Sequence, residues 1–221
     1  MKPLMPTIVR LIVAVATLCA GVSAAQAQGV TGSADAGQKK AEMCMGCHVK
    51  GYQVAFPELH KVPKIAGQSE KYIVSALSAY KKGERKHPSM RGISASLSDQ
   101  DMADLAAFYA KQGGQAPGEA PQAATGAAAA LIQKGACASC HGANFAKPID
   151  PSYPKLAGQH PDYLYVALKS YTVEGNHLVG RSNGVMGGVA KQFKPAEMRE
   201  LANYLGSLNS DLEISSPPRF R

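Results

Sequence analysis

The pentapeptide Cys-x-x-Cys-His occurs twice in this chain, at residues 44–48 and, 93 positions later, at residues 137–141. Two cysteines at this spacing lie along one helical turn, where their sulfurs can bond the two vinyl groups of a porphyrin, and the next residue, histidine, is placed under the iron. The motif therefore predicts two covalently bound haem c groups. The predicted attachment residues are Cys44, Cys47, Cys137 and Cys140, and the predicted proximal iron ligands are His48 and His141.

Zinc binding and dithiol redox chemistry are the alternative interpretations of such a motif. A zinc site requires further Cys or His ligands at finger-like spacing, and a thioredoxin-like pair requires a βαβ context. Neither pattern accompanies the two motifs, and their repetition in similar surroundings favours haem attachment.

The N-terminus has the pattern of a secretory signal peptide. Lys2 and Arg10 supply positive charge, residues 11–20 form a short apolar run, and residues 25–27 (AQA) form a cleavage site. We expect residues 1–27 to be cleaved, because the run is shorter than the ~20 residues of a spanning helix. Cleavage also removes Cys19, so every remaining cysteine belongs to a CxxCH motif.

Length and charge restrict the remaining classes of function. A chain of 221 residues accommodates about two modest domains. The formal net charge is +8, and a mild positive excess favours docking on acidic proteins or membrane faces. The basic residues are dispersed along an exported chain, so nucleic-acid binding is not expected. We expect the mature protein to be soluble, or at most peripheral to a membrane.

The mature sequence contains one unit written twice. Residues 62–68 match 153–159, residues 72–80 match 163–171, and residues 101–109 match 197–205. A Gly- and Pro-rich stretch separates the copies. The predicted domain ranges are 28–113 and 127–214, with a linker at 114–126 and a flexible tail at 215–221.

Each unit is predicted to be helical, which makes the fold all-α. In the first unit we expect a helix over residues 35–47, a middle helix that Gly83 ends, and a last helix that begins at a capping box on Ser98. In the second unit Pro195 suits the first turn of the last helix. No strand-like alternation of useful length is present.

The second axial ligand of each iron is expected to be a methionine or a histidine. Met102 and Met198 lie on apolar helix faces and are expected to fill core space. Met90 and Met186 lie in Pro- or Gly-rich segments that we expect to be loops, so these two are favoured. His87 is the rival ligand, and we expect it to be an exposed loop histidine instead.

Three further pairs recur in both units. Pro63 and Pro154 are candidates to accept a hydrogen bond from the proximal histidine or simply to form a turn. The other pairs are Tyr80 with Tyr171, which either bond a haem propionate or cover the pocket, and Arg85 with Arg181, which either pair with propionates or are solvated.

Together these motifs resemble the dihaem cytochrome c4 family over nearly the whole mature chain. The resemblance rests on tandem CxxCH units, each followed by a Pro-Lys-x-Ala-Gly-Gln turn, a Tyr-rich helix, a loop methionine and a helix with a start like Leu-Ser-Asp-Gln-Asp. It implies two cytochrome c-like helical domains related by a pseudo-twofold axis, with the haems facing each other near the interface. The axial methionines of the family fall on Met90 and Met186.

The resemblance also implies a function and a location. We expect a periplasmic carrier of single electrons from a donor such as the bc1 complex or a dehydrogenase to an acceptor such as a terminal oxidase. The alternatives are a dihaem enzyme, such as a peroxidase or a thiosulfate dehydrogenase, and the electron-transfer subunit of a dehydrogenase. Ligands on both faces of each iron leave no position for substrate, which favours the carrier.

Overall fold

A computed structural model describes residues 30–115 and 124–214 of the chain. The predicted signal peptide, the centre of the predicted linker and the predicted tail at 215–221 lie outside these residues. We call residues 31–115 the N-terminal half and residues 124–214 the C-terminal half.

Helices dominate both halves, and each strand is two residues long. The N-terminal half contains, in order, α1 (Ala34–Lys40), α2 (Glu42–Met45), β1 (Gln53–Val54), β2 (His60–Lys61), α3 (Glu70–Lys82), β3 (Arg85–Lys86), α4 (Pro88–Ala95) and α5 (Asp99–Ala110). The C-terminal half contains α6 (Gly126–Lys134), α7 (Ala138–His141), α8 (Pro161–Ser170), β4 (Gly180–Arg181), α9 (Gly184–Ala190) and α10 (Pro195–Ser207). The predicted all-α class is confirmed.

Local sequence signals determine several helix ends as predicted. The Ser98 side chain accepts a hydrogen bond from the Asp101 backbone and the Asp101 side chain bonds back to Ser98, which forms the capping box of α5. Gly83 ends α3 with a φ of 77°, a left-handed conformation that glycine adopts without steric cost. Pro195 occupies the first turn of α10.

The single helix expected over residues 35–47 is instead two helices, α1 and α2. The backbone N–H of Ala41 bonds the carbonyl of Gln38 at 3.3 Å. This i to i−3 bond tightens the turn between the two helices.

Each half has its own apolar core beside the CxxCH turn. In the N-terminal half α5 packs against α1 and α3, and in the C-terminal half α10 packs against α6 and α8. The N-terminal cluster includes Met102, Leu105 and Tyr109, and the C-terminal cluster includes Met198, Leu201 and Leu205. The apolar stripes predicted for the last helix of each unit therefore form these cores.

The two halves are joined by main-chain contacts as well as by side chains. Strands β3 and β4 pair antiparallel across the halves, with Arg85 opposite Arg181. Near the C-terminus, the Glu213 backbone N–H bonds Ala66 O at 2.9 Å. None of the helices described in either half is long and apolar enough to cross a membrane.

Candidate cofactor sites

Each CxxCH motif forms one helical turn, as its spacing predicts. The His48 backbone N–H bonds Cys44 O at 2.9 Å, and the His141 N–H bonds Cys137 O at 3.0 Å. The four motif cysteines are partly buried, and no disulfide joins them. Burial raises the pKa of the Cys44 and Cys137 thiols. The structure therefore brings two thiols and one imidazole together in each half.

The proximal histidine of each motif is held by a proline carbonyl. His48 Nδ1 donates to Pro63 O at 2.9 Å, and His141 Nδ1 donates to Pro154 O at 3.1 Å. Burial lowers the pKa of both histidines, although these carbonyl contacts act in the opposite direction. A neutral ring that donates from Nδ1 carries its lone pair on Nε2, which is the form that binds a metal. The hydrogen bond considered for Pro63 and Pro154 is present in both halves.

The four candidate methionines divide into two pairs. Met102 and Met198 are 1% and 3% exposed within the apolar clusters, in agreement with their predicted role in the core. Met90 and Met186 are partly buried and belong to neither cluster. Both occupy the same register, because each is the third residue after a helix N-cap and the fifth after an arginine of the β3–β4 pair.

Met90 and Met186 lie in short helices, α4 and α9, and not in the expected loops. Pro88 suits the first turn of α4, since its fixed φ is helical and its missing N–H is not needed there. In α9 the Asn183 side chain accepts the Met186 backbone N–H at 2.9 Å. The Asn183 cap offsets the low helix propensity of the glycines in α9.

His87 is not the exposed loop residue that was expected. It is the N-cap of α4 and is partly buried, and its ring meets that of Phe56 edge-on at 5.9 Å. Burial lowers its pKa, and the nearby His60 and Arg85 act in the same direction. Its Nδ1 is buried without a hydrogen-bond partner among the described residues.

The two arginines of the β3–β4 pair meet tyrosines from both halves. Arg85 donates to Tyr72 at 3.2 Å and to Tyr163 at 2.6 Å, and Arg181 donates to Tyr163 at 3.1 Å. Burial alone would raise the pKa of the Tyr163 hydroxyl, but the two guanidinium groups lower it to about 8. Burial raises the pKa of Tyr72, its counterpart in the repeat, to about 12.

Two buried glutamines make matching contacts across the halves. The Gln159 side chain bonds the Lys64 backbone at both its N–H (2.9 Å) and its C=O (2.8 Å). The Gln68 side chain bonds the Lys155 backbone in the same way, at 3.0 and 2.8 Å. Sequence reasoning placed both glutamines in the repeat but assigned them no role. Their recurrence at the end of the Pro-Lys-x-Ala-Gly-Gln turn was the available signal.

The residues present fit a haem that carries anionic propionates. In the described part of the chain every ion pair uses a lysine, so neither Arg85 nor Arg181 has a carboxylate partner. Arg85 Nε is also buried without a hydrogen-bond partner. Arg85 and Arg181 are partly buried, and removing a charge from water costs free energy unless the charge is paired. The propionates of haems held by the CxxCH turns would supply the paired anions.

Comparisons with known proteins identify similar chains. The sequence model of the cytochrome c family matches residues 34–112 and 125–209. Cytochrome c4 of Pseudomonas aeruginosa is 30% identical over 185 residues, which cover 80% of this chain and 90% of that protein. A thiosulfate dehydrogenase electron acceptor of Stutzerimonas stutzeri is 30% identical over 206 residues, with 88% and 92% covered.

A solved structure is also similar to this chain. Reduced recombinant cytochrome c4 from Pseudomonas stutzeri matches with a TM-score of 0.59 and 29% identity, covering 81% of this chain and 100% of that chain. The chain therefore belongs to the dihaem cytochrome c4 family, whose members transfer electrons through two tandem cytochrome c domains, each with a covalently bound haem c.

Proposed function

We propose that this protein carries single electrons between redox proteins of the periplasm and that both of its irons have protein ligands on both faces. The main support is the equivalence of the two halves. Each half has a CxxCH histidine on a proline carbonyl, partly buried at His48 and buried at His141, and a partly buried methionine in the same register. Two similar closed sites suit electron transfer, whereas catalysis at iron requires a displaceable ligand. When bound, the cofactor supplies a one-electron Fe(III)/Fe(II) couple at each site.

The proposal assigns a role to each site residue. Cys44 and Cys47 attach the first haem, Cys137 and Cys140 attach the second, and the axial pairs are His48 with Met90 and His141 with Met186. A thioether ligand and a buried site both favour Fe(II), so both potentials should be fairly high. Full burial of Met102 and Met198 in the apolar clusters supports their exclusion as ligands.

Arg85 and Arg181 are proposed to pair with haem propionates. Their guanidinium groups lie beside tyrosine hydroxyls from both halves, and these neutral groups solvate the positive charge without neutralising it. Under this assignment Tyr171, which accepts a bond from Arg181 at 3.4 Å, orients the arginine. Tyr80 lies under the Arg85 guanidinium at 4.6 Å from its ring centroid.

The location and the partners follow from the N-terminal pattern and the family. We propose that residues 1–27 direct export, that the domains span 28–113 and 127–214, and that the mature protein works in the periplasm. Its donor would be a respiratory enzyme such as the bc1 complex, and its acceptor a terminal oxidase. The net positive charge suits docking on acidic faces of such partners.

A second candidate is the electron-acceptor role for a dehydrogenase. It is favoured by the 30% identity with the thiosulfate dehydrogenase electron acceptor over 88% of this chain. The two candidates use the same haem sites and differ in the donor. Comparing the rate of haem reduction by a purified bc1 complex with the rate for a thiosulfate dehydrogenase would separate them.

Replacing Met90, the proposed second ligand of the iron bound by His48, tests whether protein ligands occupy both faces of that iron. Axial ligands set haem potentials over about 0.8 V, so Met90→Ala should lower one of the two potentials by on the order of 0.1 V. It should also let that iron bind carbon monoxide. Met102→Leu is the matched control, because it changes a buried methionine of the same half with little change in volume. The measurements are a redox titration and absorption spectra with carbon monoxide.

Two results would contradict the proposal. If Met90→Ala titrates like the parent protein and binds no carbon monoxide, Met90 is not a ligand. A high-spin ferric signal in the resting parent protein, together with turnover of peroxide, would favour the enzymatic alternative.

A further inference from the structure

The amide side chains of Gln68 and Gln159 bind peptide groups that are themselves hydrogen-bonded to the proximal histidines. Gln159 Oε1 accepts from the Lys64 N–H at 2.9 Å, and Pro63 O accepts from His48 Nδ1 at 2.9 Å. Pro63 C=O and Lys64 N–H belong to one planar peptide unit. A continuous chain of hydrogen bonds therefore runs from Gln159 in the C-terminal half to His48 in the N-terminal half.

The reverse chain has the same connectivity, except that Gln159 Oε1 also accepts the His160 N–H at 3.0 Å. Gln68 Oε1 accepts from the Lys155 N–H at 3.0 Å, and Pro154 O, in the same peptide unit, accepts from His141 Nδ1 at 3.1 Å. Gln68 and Gln159 are both 3% exposed. At such burial the bonds are shielded from water, and hydrogen bonds in a chain polarise and strengthen one another.

We propose that Gln68 and Gln159 are positioning residues that act across the halves, each tuning the proximal histidine of the opposite half. A bond at the peptide N–H makes the C=O of the same unit a stronger acceptor. A stronger acceptor draws the Nδ1 proton and makes the imidazole a more basic iron ligand. This inference rests on the proposed ligation by His48 and His141 and adds a route by which each half influences the other iron.

Other contacts are available to hold the interface, so the glutamines are not needed for that purpose alone. Glu58 and Lys169 form an ion pair across the halves at 2.7 Å, and the Lys61 N–H bonds Asp162 at 3.0 Å. Neither contact ends on the peptide units that face the proximal histidines. Loss of a glutamine should therefore leave the halves together while weakening one Nδ1 hydrogen bond.

The test, in the haem-loaded protein, is whether a glutamine variant changes the proximal histidine of the opposite half and leaves the histidine of its own half unchanged. In the reduced, diamagnetic state we would measure hydrogen exchange of the Nδ1–H of His48 and of His141 by NMR, together with both reduction potentials. Gln159→Leu should accelerate exchange at His48 about tenfold, the size expected for the loss of one or two neutral hydrogen bonds. Exchange at His141 should stay within about twofold of the parent rate on the same scale.

The potentials provide a second readout. A less basic His48 stabilises Fe(III) less, so Gln159→Leu should raise the potential of the haem on Cys44 and Cys47 only. The Met90→Ala variant identifies which potential that is. Gln68→Leu should give the mirror result at His141. Glu58→Gln, which breaks the Lys169 ion pair, is the control and should leave both histidines unchanged.

Conservative replacement keeps the test decisive if a leucine variant does not fold. Gln159→Glu retains an acceptor for the Lys64 N–H and should affect His48 less than Gln159→Leu does. Equal effects on both histidines, an effect confined to His141, or no effect would each overturn the inference. Failure of the proposed ligation is distinguishable, because it would be seen in the parent protein as the absence of an iron-bound His48.

Discussion

The two halves hold their first and last helices together by different chemistry. In the N-terminal half, Asp104 of α5 is 3% exposed, accepts the Ser33 N–H at 2.8 Å and pairs with Lys40 of α1 at 2.6 Å. In the C-terminal half, Lys134 of α6 and Glu197 of α10 form a more exposed pair at 3.4 Å. Lys40 also pairs at 2.6 Å with Asp101, the counterpart of Glu197 in the repeat, and this pair is partly exposed. The N-terminal half thus adds a buried carboxylate, Asp104, to a surface pair that both halves have.

The two halves also differ in how closely the backbones of the first and last helices approach. A Cβ atom at Gly37 of α1 would lie 2.0 Å from Asp104 O, so α1 and α5 approach at a distance that only glycine allows. In α6 the buried residues are Ala128 and Leu131, and Leu131 belongs to the apolar cluster of its half. By contrast, the bonds from each proximal histidine to a proline carbonyl, and from the next backbone N–H to a glutamine of the opposite half, are present in both halves. The outer helix contact has diverged, while these hydrogen bonds have not.

The largest expected effect is that of Gly37→Ala. The added methyl group would overlap Asp104 O and also lie 2.7 Å from Phe108 Cβ, so α1 must move away from α5. We expect the free energy of unfolding to fall by about 3 kcal/mol. Chemical denaturation followed by circular dichroism would measure it.

Gly92→Ala is the matched control for that substitution. Gly92 lies in α4, where a Cβ would meet nothing within 4 Å. Because alanine is the better helix former, this variant should gain up to about 1 kcal/mol. Equal stability of the two variants would mean that the close contact of α1 and α5 is not a feature of the protein.

An intermediate effect is expected at Asp104, and it should depend on pH. Lys40, then the Ser33 N–H and Gln100, hold the pKa of this carboxyl at about 2, below its ordinary value of 3.8. A depressed folded-state pKa stabilises the protein above pH 3.8, and this contribution disappears as the pH falls through about 2.

Asp104→Asn should therefore lower Tm at pH 6 and lose less stability than the parent protein on acidification. Thermal melts between pH 6 and pH 2 would measure the difference between the two proteins. A difference that is constant over this range would show that Asp104 does not contribute through its charge.

The smallest effect is expected for the surface ion pair of the C-terminal half, which has no buried carboxylate like Asp104 beside it. Lys134 and Glu197 have side chains that are 43% and 31% exposed, and exposed ion pairs contribute little. Lys134→Gln should leave Tm within the scatter of replicate melts. A loss as large as that of Asp104→Asn would remove the distinction between the two halves.

Sequence spacing predicts the CxxCH turns and several local features of the helices. The attachment turns, the capping box at Ser98 and the apolar stripes of α5 and α10 follow from local periodicity and are present. Glycine and proline predict loops around Met90 and Met186, whereas the structure has short helices there. Pro88 in the first turn of α4 and the Asn183 side chain at the start of α9 favour a helix in these segments instead.

Contacts between distant residues were beyond the reach of local patterns. Gln68 and Lys155 are 87 positions apart, and no periodicity relates a side chain to the backbone that it binds. Burial of His87 was missed for a similar reason, since Phe56 reaches it from a distant segment. The repeat marked the glutamines as a pair, but only the fold shows that each contacts the other copy.

Gln68 and Gln159 bind main-chain atoms of the opposite half, and this determines which substitutions the contacted positions tolerate. Any residue with a backbone N–H can stand at positions 64 and 155 without loss of these bonds. Proline is the exception because it has no N–H to donate. Among homologous chains, proline should thus be absent from these two positions and glutamine should persist at positions 68 and 159, whereas the lysine side chain at position 155 has a separate role in its ion pair with Asp211.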